Sequence, residues 1–187
     1  MSLDFDFGNI GSKNILEKIK PSNHKIFIET GTYLGNGTQW ALDNFKEVIT
    51  IEILDEYYKK AIERFKDESR LTLVKGSSAD RMEEILNDID EACFIFLDAH
   101  GDINVQGPNP LYKEISAIKN HKVKNHIVAI DDVRRIGDPS DPCWSKVSLD
   151  TLKESLKEVN NEYEIFVFKD TLIAALKEDL DLQWWEN

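Results

Sequence analysis

The sequence has little cysteine, no long apolar run and no excess of positive charge. Its two cysteines, Cys93 and Cys143, form neither a disulfide framework nor a CxxC pair, which fits a reducing cytosol. The apolar runs are far shorter than the roughly 20 residues that cross a bilayer, and the N-terminus lacks the basic and apolar regions of a signal peptide. A net charge of −12 opposes binding to nucleic acid or anionic membranes. We therefore expect a cytoplasmic protein without a nucleic-acid or membrane partner.

The overall composition is that of one globular domain. The chain has 187 residues, of which 41% are hydrophobic and 31% are charged, so it can bury a sizeable core. Because the sequence contains no linker, internal repeat or low-complexity segment, we predict a single domain over residues 1–187. Residues 1–24 form an N-terminal extension in which Ser12 can cap a helix that Pro21 ends. This helix either packs on the sheet or covers a bound cofactor.

Apolar runs with the lengths of strands alternate with segments of helical spacing. The predicted strands lie at 26–28, 48–53, 71–75, 92–97, 126–130, 163–168 and 171–175. The short turn Lys169-Asp170 allows only an antiparallel hairpin between the last two strands. The sequence therefore predicts an α/β fold. We expect a Rossmann-like, doubly wound, mostly parallel seven-stranded sheet with helices on both faces and a C-terminal β-hairpin.

A glycine-rich turn follows the first strand. Glu29 ends that strand, a helix begins near Thr38, and the turn between them contains Gly31, Gly35 and Gly37. Glycine lets the backbone approach a ligand, and a helix start offers free N–H groups, so this order is typical of a nucleotide site. A dinucleotide site has the spacing GxGxxG and holds a pyrophosphate, which Glu29 would repel. The carboxylate instead suits a cationic amino-acid ligand such as S-adenosylmethionine.

Two further segments fit a nucleoside. Glu52 ends the second strand about twenty residues after the glycine turn, where a carboxylate binds a ribose in nucleotide-binding folds. Ser77 and Ser78 follow the third strand and open a helix. Either serine can cap that helix, and both lie at the sheet edge where they can contact an adenine. The two roles are compatible.

Carboxylates also end the fourth and fifth strands. Asp98 follows the fourth strand, and Asp131 and Asp132 follow the fifth. Because the carboxyl ends of parallel strands share one edge, these three side chains can gather around one divalent ion such as Mg²⁺. The alternative is that Asp98 is structural and that Asp131 and Asp132 cap the loop that follows them.

His100 lies two residues after Asp98, at the mouth of the predicted pocket. An imidazole with a pKa near neutrality can remove a proton from a substrate hydroxyl. Asp102 is the competing base, and a hydrogen bond within its own loop is the alternative role for His100. The other histidines are expected at the surface or at strand starts, without a role: His24, His121 and His126.

These motifs resemble class I S-adenosylmethionine-dependent methyltransferases, most closely metal-dependent O-methyltransferases of the catechol type and macrolide sugar O-methyltransferases. The likeness spans residues 25–175. The segments that carry it are 29–35 for the family's first motif, 50–53 for its ribose-binding strand end, 76–80 for its adenine loop, and 96–98 and 129–132 for its two metal-binding strand ends.

The resemblance implies a set of site residues. The cofactor would contact Glu29, Gly31, Thr32, Tyr33, Gly35, Gly37, Glu52, Ile53, Ser77, Ser78 and Asp98. Catalysis would involve His100, Asp98 and Asp102, and the metal would be held by Asp98, Asp131 and Asp132. Two positions depart from the family: Gly101 replaces the lysine of catechol-type enzymes, and Ala79 replaces the usual polar adenine contact.

The resemblance also implies a reaction, in which the sulfonium methyl passes in line to a hydroxyl of a small molecule that the metal and His100 deprotonate. Substrate selection would fall to residues of the long loops: Tyr112, Arg134, Arg135 and Trp144. The two arginines either bind a substrate acid or pair with the surplus carboxylates. The pocket is open, or a second subunit completes it in a homodimer. Two other functions stay open, an NAD-dependent oxidoreductase and a non-catalytic nucleotide-binding module on the same fold.

Overall fold

Seven strands form one sheet in the computed structural model, which describes residues 23–101 and 107–180. The strands are β1 (Ile26–Thr30), β2 (Glu47–Glu52), β3 (Leu71–Lys75), β4 (Cys93–Leu97), β5 (Ile127–Ile130), β6 (Glu164–Phe168) and β7 (Thr171–Ala175). The helices are α1 (Asn36–Asn44), α2 (Asp55–Arg64), α3 (Ser78–Asn87), α4 (Leu111–Asn120) and α5 (Leu149–Val159). The predicted helix that begins at Ser12 and the candidate base Asp102 lie outside the described residues.

The strand order confirms the predicted fold. The strands lie in the order β3-β2-β1-β4-β5-β7-β6. Strands β1 to β5 are parallel, whereas β7 runs antiparallel to both β5 and β6. The chain therefore winds outward in one direction from β1 to β3 and in the other from β4 onward. The point between β1 and β4 where the direction changes is where such sheets bind ligands.

The register of the central strands brings their ends to one edge. Thr30, the last residue of β1, lies beside Ile51 of β2 and Leu97 of β4. Asp98 N–H donates to the Thr30 carbonyl at 3.2 Å, and Asp131 N–H donates to the Leu97 carbonyl at 3.1 Å. The carboxylates that end these strands are thus held at the same edge of the sheet.

Alternation along the strands gives the sheet two apolar cores. In β1, Phe27 packs in the layer of α1 and α2, whereas Ile26 and Ile28 pack in the layer of α3, α4 and α5. Leu42 and Met82 are buried helix residues on these two sides, respectively. Helices therefore cover both faces, as predicted. None of the helices within 23–101 and 107–180 has the length and apolar character needed to span a membrane.

Three histidines that the sequence analysis placed at the surface or at strand starts are buried, with His24, His121 and His126 at most 5% exposed. Cys93 N–H donates to His126 Nδ1 at 3.0 Å, so the proton of this ring lies on Nε2, which donates to His121 Nδ1 at 2.8 Å. This series of hydrogen bonds ends at the Ile89 carbonyl, which lies 3.0 Å from His121 Nε2. Burial lowers the pKa of His126 to about 3. The expected strand-start position is correct for His24 and His126, which lie just before β1 and β5. The expected surface position was wrong, because backbone groups near the starts of β4 and β5 supply partners for buried rings.

Candidate active site

A cavity of about 450 Å³ opens at the carboxyl ends of the central strands. Its walls are the turn after β1, the end of β2, the loop after β3 and the segment after β4. The predicted cofactor residues that line it are Glu29, Gly31, Thr32, Tyr33, Gly37, Glu52, Ile53, Ser77, Ser78 and Asp98. Gly35 does not line the cavity. A Cβ at Gly35, where φ is +78°, would lie 2.7 Å from the Phe65 ring, so this glycine allows the turn to pack on the end of α2.

At two positions of the turn after β1, neighbouring atoms leave no space for a side chain. Gly31 has a φ of +90°, and a Cβ there would lie 2.8 Å from the backbone oxygen of Asp98. A Cβ at Gly37 would collide with Oε1 of Glu29. Gly31 N–H donates to the Ile51 carbonyl at 2.9 Å. The turn therefore packs closely against the ends of both flanking strands.

Glu29 is buried beneath the glycine turn. Its Oε2 accepts hydrogen bonds from Thr38 Oγ1 at 2.6 Å and from Thr50 Oγ1 at 2.7 Å. Burial raises the pKa of Glu29 to about 7, against the opposing effect of the two hydroxyls. Because one oxygen serves two hydroxyls and the other lies against Gly37, Glu29 supports the turn. Its contact with the ammonium group of a cofactor stays a prediction.

Glu52 binds the backbone N–H groups of two residues that line the cavity. Its Oε2 accepts the Tyr33 N–H at 2.8 Å, and its Oε1 accepts the Leu54 N–H at 2.7 Å. Tyr33 has a φ of 47°, a conformation that is uncommon for any residue but glycine. Each carboxylate oxygen has a further lone pair for a ligand, so Glu52 has the acceptors that the two hydroxyls of a ribose require.

The loop after β3 forms another wall. Gly76 N–H donates to the Glu52 carbonyl at 3.0 Å and ties this loop to the end of β2. Ser77 precedes α3, but its side chain makes no capping hydrogen bond, and Ser78 is the first residue of the helix. Both serines line the cavity. The structure does not show the capping role for Ser77, and the contact of these serines with an adenine stays a prediction.

The predicted metal ligands do not come together as an ion site. Within the described ranges, no three side chains of His, Cys, Asp or Glu are arranged so that they could hold a metal ion. Asp98 lines the cavity, but Asp131 and Asp132 do not. Asp131 Oδ1 accepts a hydrogen bond from Thr171 Oγ1 at 3.2 Å. As they are arranged, these residues do not fit the three-carboxylate magnesium site.

Two arginines bind the carboxylate that was expected to complete that site. Arg134 pairs with Asp132 at 2.7 Å and also with Asp170. Arg135 Nη1 donates to Asp132 Oδ2 at 3.0 Å, and its Nε and Nη2 donate to Asp141 at 2.9 and 2.6 Å. Both oxygens of Asp132 are thus held by guanidinium groups. Of the two roles considered for these arginines, the structure shows the pairing with surplus carboxylates.

His100 lies in the cavity wall and is 3% exposed, and neither of its ring nitrogens has a hydrogen-bond partner among the described residues. Burial, and secondly the charge of Arg135, lower the pKa of His100 to about 3. The predicted pKa near neutrality is therefore wrong, and the ring is neutral at physiological pH. Trp144 is completely buried with its ring centroid 4.8 Å from that of His100. Trp144 packs against His100 and does not line the cavity, so its role in substrate selection stays a prediction.

Comparison with solved structures places this cavity in a known fold. No protein-family model and no curated protein sequence matches the chain. The structure is similar to SAH-bound methyltransferase PaMTH1 of Podospora anserina, with a TM-score of 0.53, 16% identity, and coverage of 82% of this chain and 72% of that one. It is also similar to N-methyltransferase NodS of Bradyrhizobium japonicum, with a TM-score of 0.53, 14% identity, and coverage of 87% of this chain and 90% of that one. A third similar structure is MycE of the mycinamycin biosynthetic pathway, in complex with Mg, SAH and mycinamycin VI. Its TM-score is 0.57, its identity is 16%, and the match covers 82% of this chain and 44% of that one. The chain has the class I methyltransferase fold.

The cavity of this methyltransferase fold also has walls that sequence reasoning missed. The further lining residues include Leu34, Asn36, Tyr57, Pro108 and Pro110. The ring centroids of Tyr57 and Tyr33 are 4.5 Å apart. The signal for Tyr57 was its place in the first turn of the helix after Glu52. Tyr112, a predicted substrate residue, is not in the cavity wall, and its hydroxyl accepts the Ser148 N–H at 3.2 Å.

Proposed function

We propose that the chain is an S-adenosylmethionine-dependent methyltransferase. The observation that carries the proposal is the cavity beside the switch point of the sheet, with Glu52 and the glycine turn on one side and Asp98 on the other. The start of α1 adds backbone N–H groups that suit the carboxylate of an amino-acid ligand. PaMTH1 and MycE, which share the fold, have each been solved with S-adenosylhomocysteine.

The charges of the cavity favour a cationic ligand. Asp98 accepts no hydrogen bond from the described residues, whereas Glu29 and Glu52 each accept two. Burial, and then the charges of Asp131 and Asp132, raise the pKa of Asp98 well above its ordinary value. No Lys or Arg of the described ranges lines the cavity. The sulfonium and ammonium groups of S-adenosylmethionine would relieve this excess of negative charge, whereas the pyrophosphate of NAD would add to it.

The acceptor that we assign to this site is a hydroxyl of a small molecule. The bond between sulfur and the methyl carbon would break as the bond from the hydroxyl oxygen to that carbon forms, and the hydroxyl proton would pass to a base. The neutral His100 has one unprotonated ring nitrogen, and this nitrogen has no partner among the described residues, so it can accept a hydrogen bond from this hydroxyl and orient its oxygen. Asp98 and the predicted Asp102 are the alternative proton acceptors. Holding oxygen and methyl carbon in attack geometry is the largest contribution expected of the protein.

A divalent cation has no assigned part in this step. Since Asp132 is already paired with Arg134 and Arg135, the described residues do not fit the predicted ion. Calorimetric titration of Mg²⁺ into the wild type and into Asp131→Ala addresses the prediction directly. A heat of binding that disappears in Asp131→Ala would reinstate the metal site, whereas identical traces are the expected result.

Ligand binding and methyl transfer test the proposal in two stages. S-adenosylhomocysteine and NAD are titrated separately into the full chain, and labelled S-adenosylmethionine is then offered with a panel of alcohols, phenols and sugars. We expect S-adenosylhomocysteine to bind and NAD not to bind. Binding of NAD alone would indicate the oxidoreductase, and cofactor binding without turnover on any acceptor would indicate the non-catalytic module.

His100→Ala tests the role of this side chain in the same assay. The variant should bind S-adenosylhomocysteine as the wild type does, because the ring makes no hydrogen bond that shapes the cofactor wall. Turnover should fall severalfold or more. Full activity in His100→Ala would remove this residue from the mechanism.

A further inference from the structure

Arg135 makes more contacts beside the cavity than the pairing of surplus carboxylates requires. It ends the single 3-10 turn after β5, Val133–Arg135. Its Nε and Nη2 donate to Asp141 at 2.9 and 2.6 Å, and its Nη1 donates to Asp132 at 3.0 Å. The same Nη1 donates to the backbone carbonyl of His100 at 3.1 Å. This last bond compensates no negative charge. It joins the loop after β5 to the segment after β4, which forms part of the cavity wall.

His100 lies in an irregular segment, where the position of the backbone depends on such cross-links. Residues 98–101 follow β4 and belong to neither a strand nor a helix. The start of the segment is fixed by Asp98 N–H, which donates to the carbonyl and to Oγ1 of Thr30 at 3.2 and 3.1 Å. Arg135, which lies 35 positions after His100 in the chain, fixes the segment two residues farther on. Its donor is charged, and charged donors form stronger hydrogen bonds than neutral ones.

The imidazole of His100 is held through a second contact of the same guanidinium group. The guanidinium carbon of Arg135 lies 5.6 Å from the centroid of the Trp144 ring. The Trp144 ring in turn contacts the imidazole edge to face, with centroids 4.8 Å apart and an angle of 69° between the ring planes. Both kinds of contact are attractive. Arg135 therefore supports the backbone of His100 directly and its ring through Trp144.

The shape of the guanidinium group explains why this position is an arginine. Its planar fork presents several N–H groups in fixed directions, and its face can pack on an aromatic ring at the same time. Here the fork binds two carboxylates and the His100 carbonyl, while the Trp144 ring lies beside the group. The compact ammonium group of a lysine could balance one carboxylate, but it could not make all of these contacts together.

We propose that Arg135 is a positioning residue that holds the His100 imidazole where the hydroxyl of the acceptor binds. The inference rests on the proposed function, since it assumes that the acceptor meets His100 in the cavity. Arg135 does not line the cavity, so it acts on the reaction through His100 and not on the cofactor. Groups at a reacting centre must be held to within about 0.5 Å of their productive position, which requires supporting contacts of this kind.

Turnover and cofactor affinity are measured in Arg135→Ala and Arg135→Lys, on an acceptor that the panel of alcohols, phenols and sugars identifies. In both variants turnover should fall severalfold, by no more than in His100→Ala, because the lysine keeps the charge but loses the fork. The affinity for S-adenosylhomocysteine should stay within about twofold of the wild type. Lys146→Ala is the matched control, since it removes a positive charge from an exposed side chain of the same long loop, and it should keep wild-type turnover.

A double-mutant cycle shows whether Arg135 acts through His100. If it does, Arg135→Ala should lower the turnover of His100→Ala by less than about twofold, since the group that Arg135 holds is already absent. An equal loss of turnover in the wild-type and His100→Ala backgrounds would show that Arg135 acts elsewhere and would overturn the inference. Full turnover in Arg135→Lys would overturn it as well, because a charge alone would then suffice.

Nuclear magnetic resonance gives a readout of the imidazole position that does not depend on activity. The chain has four histidines, so protein with isotope-labelled histidine gives few ring signals, and His100→Ala identifies the one of interest. The ring current of Trp144 shifts this signal, so it should move in Arg135→Lys and in Arg135→Ala. The signals of His24 and His126 should not move, because these residues lie before β1 and β5, at the opposite edge of the sheet.

The outcomes separate the inference from the proposed function. A His100 signal that stays in place in both Arg135 variants overturns the inference alone, even where the wild type binds S-adenosylhomocysteine and transfers its methyl group. If the wild type binds no S-adenosylhomocysteine and methylates no acceptor, the proposed function fails and the inference fails with it. Should Arg135→Ala not fold, Arg135→Lys supplies the same comparisons.

Discussion

Substitution of Glu52 by glutamine removes one acceptor from the entrance of the cavity and leaves the shape of the side chain unchanged. The wild-type carboxylate accepts one backbone N–H on each oxygen, at 2.8 Å from Tyr33 and 2.7 Å from Leu54. The amide of glutamine can accept only one of these, and its NH₂ group then faces the other N–H donor to donor. Since Glu52 is 3% exposed, water cannot readily take the place of the lost acceptor.

The expected magnitude follows from this count. A buried donor without a partner costs about 1–3 kcal/mol, so Glu52→Gln should lower the melting temperature by several degrees in a chain of this size. A ribose hydroxyl would lose one charge-assisted hydrogen bond in addition, worth about 1.5–3 kcal/mol. The affinity for S-adenosylhomocysteine should therefore fall by roughly 10- to 100-fold.

Calorimetry and thermal melting measure the two effects separately. Glu47→Gln is the matched control, because Glu47 is the exposed first residue of the same strand. This control should leave both the affinity and the melting temperature near their wild-type values. If Glu52→Gln binds S-adenosylhomocysteine within about twofold of the wild type, the ribose assignment is wrong, whatever happens to the stability.

Three other substitutions have defined outcomes. Gly31→Ala should reduce both the melting temperature and the affinity for S-adenosylhomocysteine, since a Cβ at this position would lie 2.8 Å from the Asp98 backbone oxygen. Gly137→Ala is the control, because a Cβ there would have its nearest neighbour at 3.9 Å. With a φ of +75°, this variant should show only the cost of backbone strain and should keep its affinity for S-adenosylhomocysteine. Because burial raises the pKa of Glu29 from 4.5 to about 7, its stabilising effect is complete below pH 4.5 and is lost as the pH rises through 7. Thermal melts of Glu29→Gln should therefore fall less than those of the wild type between about pH 5 and pH 8, and an equal fall would contradict this pKa. Arg135→Ala should lower the melting temperature but leave S-adenosylhomocysteine affinity within about twofold, since Arg135 does not line the cavity; a larger loss would connect the arginine cluster to cofactor binding.

The fold could be predicted because its signals are local. Each residue of β4 is buried, and this run of five apolar residues is the pattern of a strand covered on both faces. The two-residue turn between β6 and β7 fixed their antiparallel pairing, which the register of Phe168 beside Thr171 shows. Strand–helix alternation then left few arrangements of the sheet to consider.

The positions of the acidic residues could be predicted, but their partners could not. A carboxylate at a strand end is visible in the sequence, since the apolar run stops there. Asp132 adopts a φ of 63°, which no residue pattern predicted. Its two carboxylate oxygens form ion pairs with Arg134 and Arg135 of the following turn. Pairing of this kind depends on the path of a loop, whereas the sequence patterns that we used describe only regular elements.

The environment of His100 shows the same limit in another form. Its place after β4 identified it as a residue of the cavity wall, but its pKa depends on what covers it. Trp144 lies 44 positions later in the chain and packs its ring on the imidazole, and Arg135 adds a positive charge. Both contacts come from one long loop. A pKa near neutrality would have required solvent or a carboxylate in their place.

The carboxylates at the sheet edge differ in how their charge is compensated. Glu52 is satisfied by two backbone N–H groups, and Asp132 is satisfied by two guanidinium groups. Glu29 is partly satisfied by hydroxyls, and its pKa of about 7 already leaves it protonated part of the time at neutral pH. Asp98 has no donor among the described residues and faces the cavity. Burial and the charges of Asp131 and Asp132 raise the pKa of Asp98 well above its ordinary value, so a positive charge bound beside it would favour the ionised form of this carboxyl. In the proposed function, the sulfonium of S-adenosylmethionine would supply that charge.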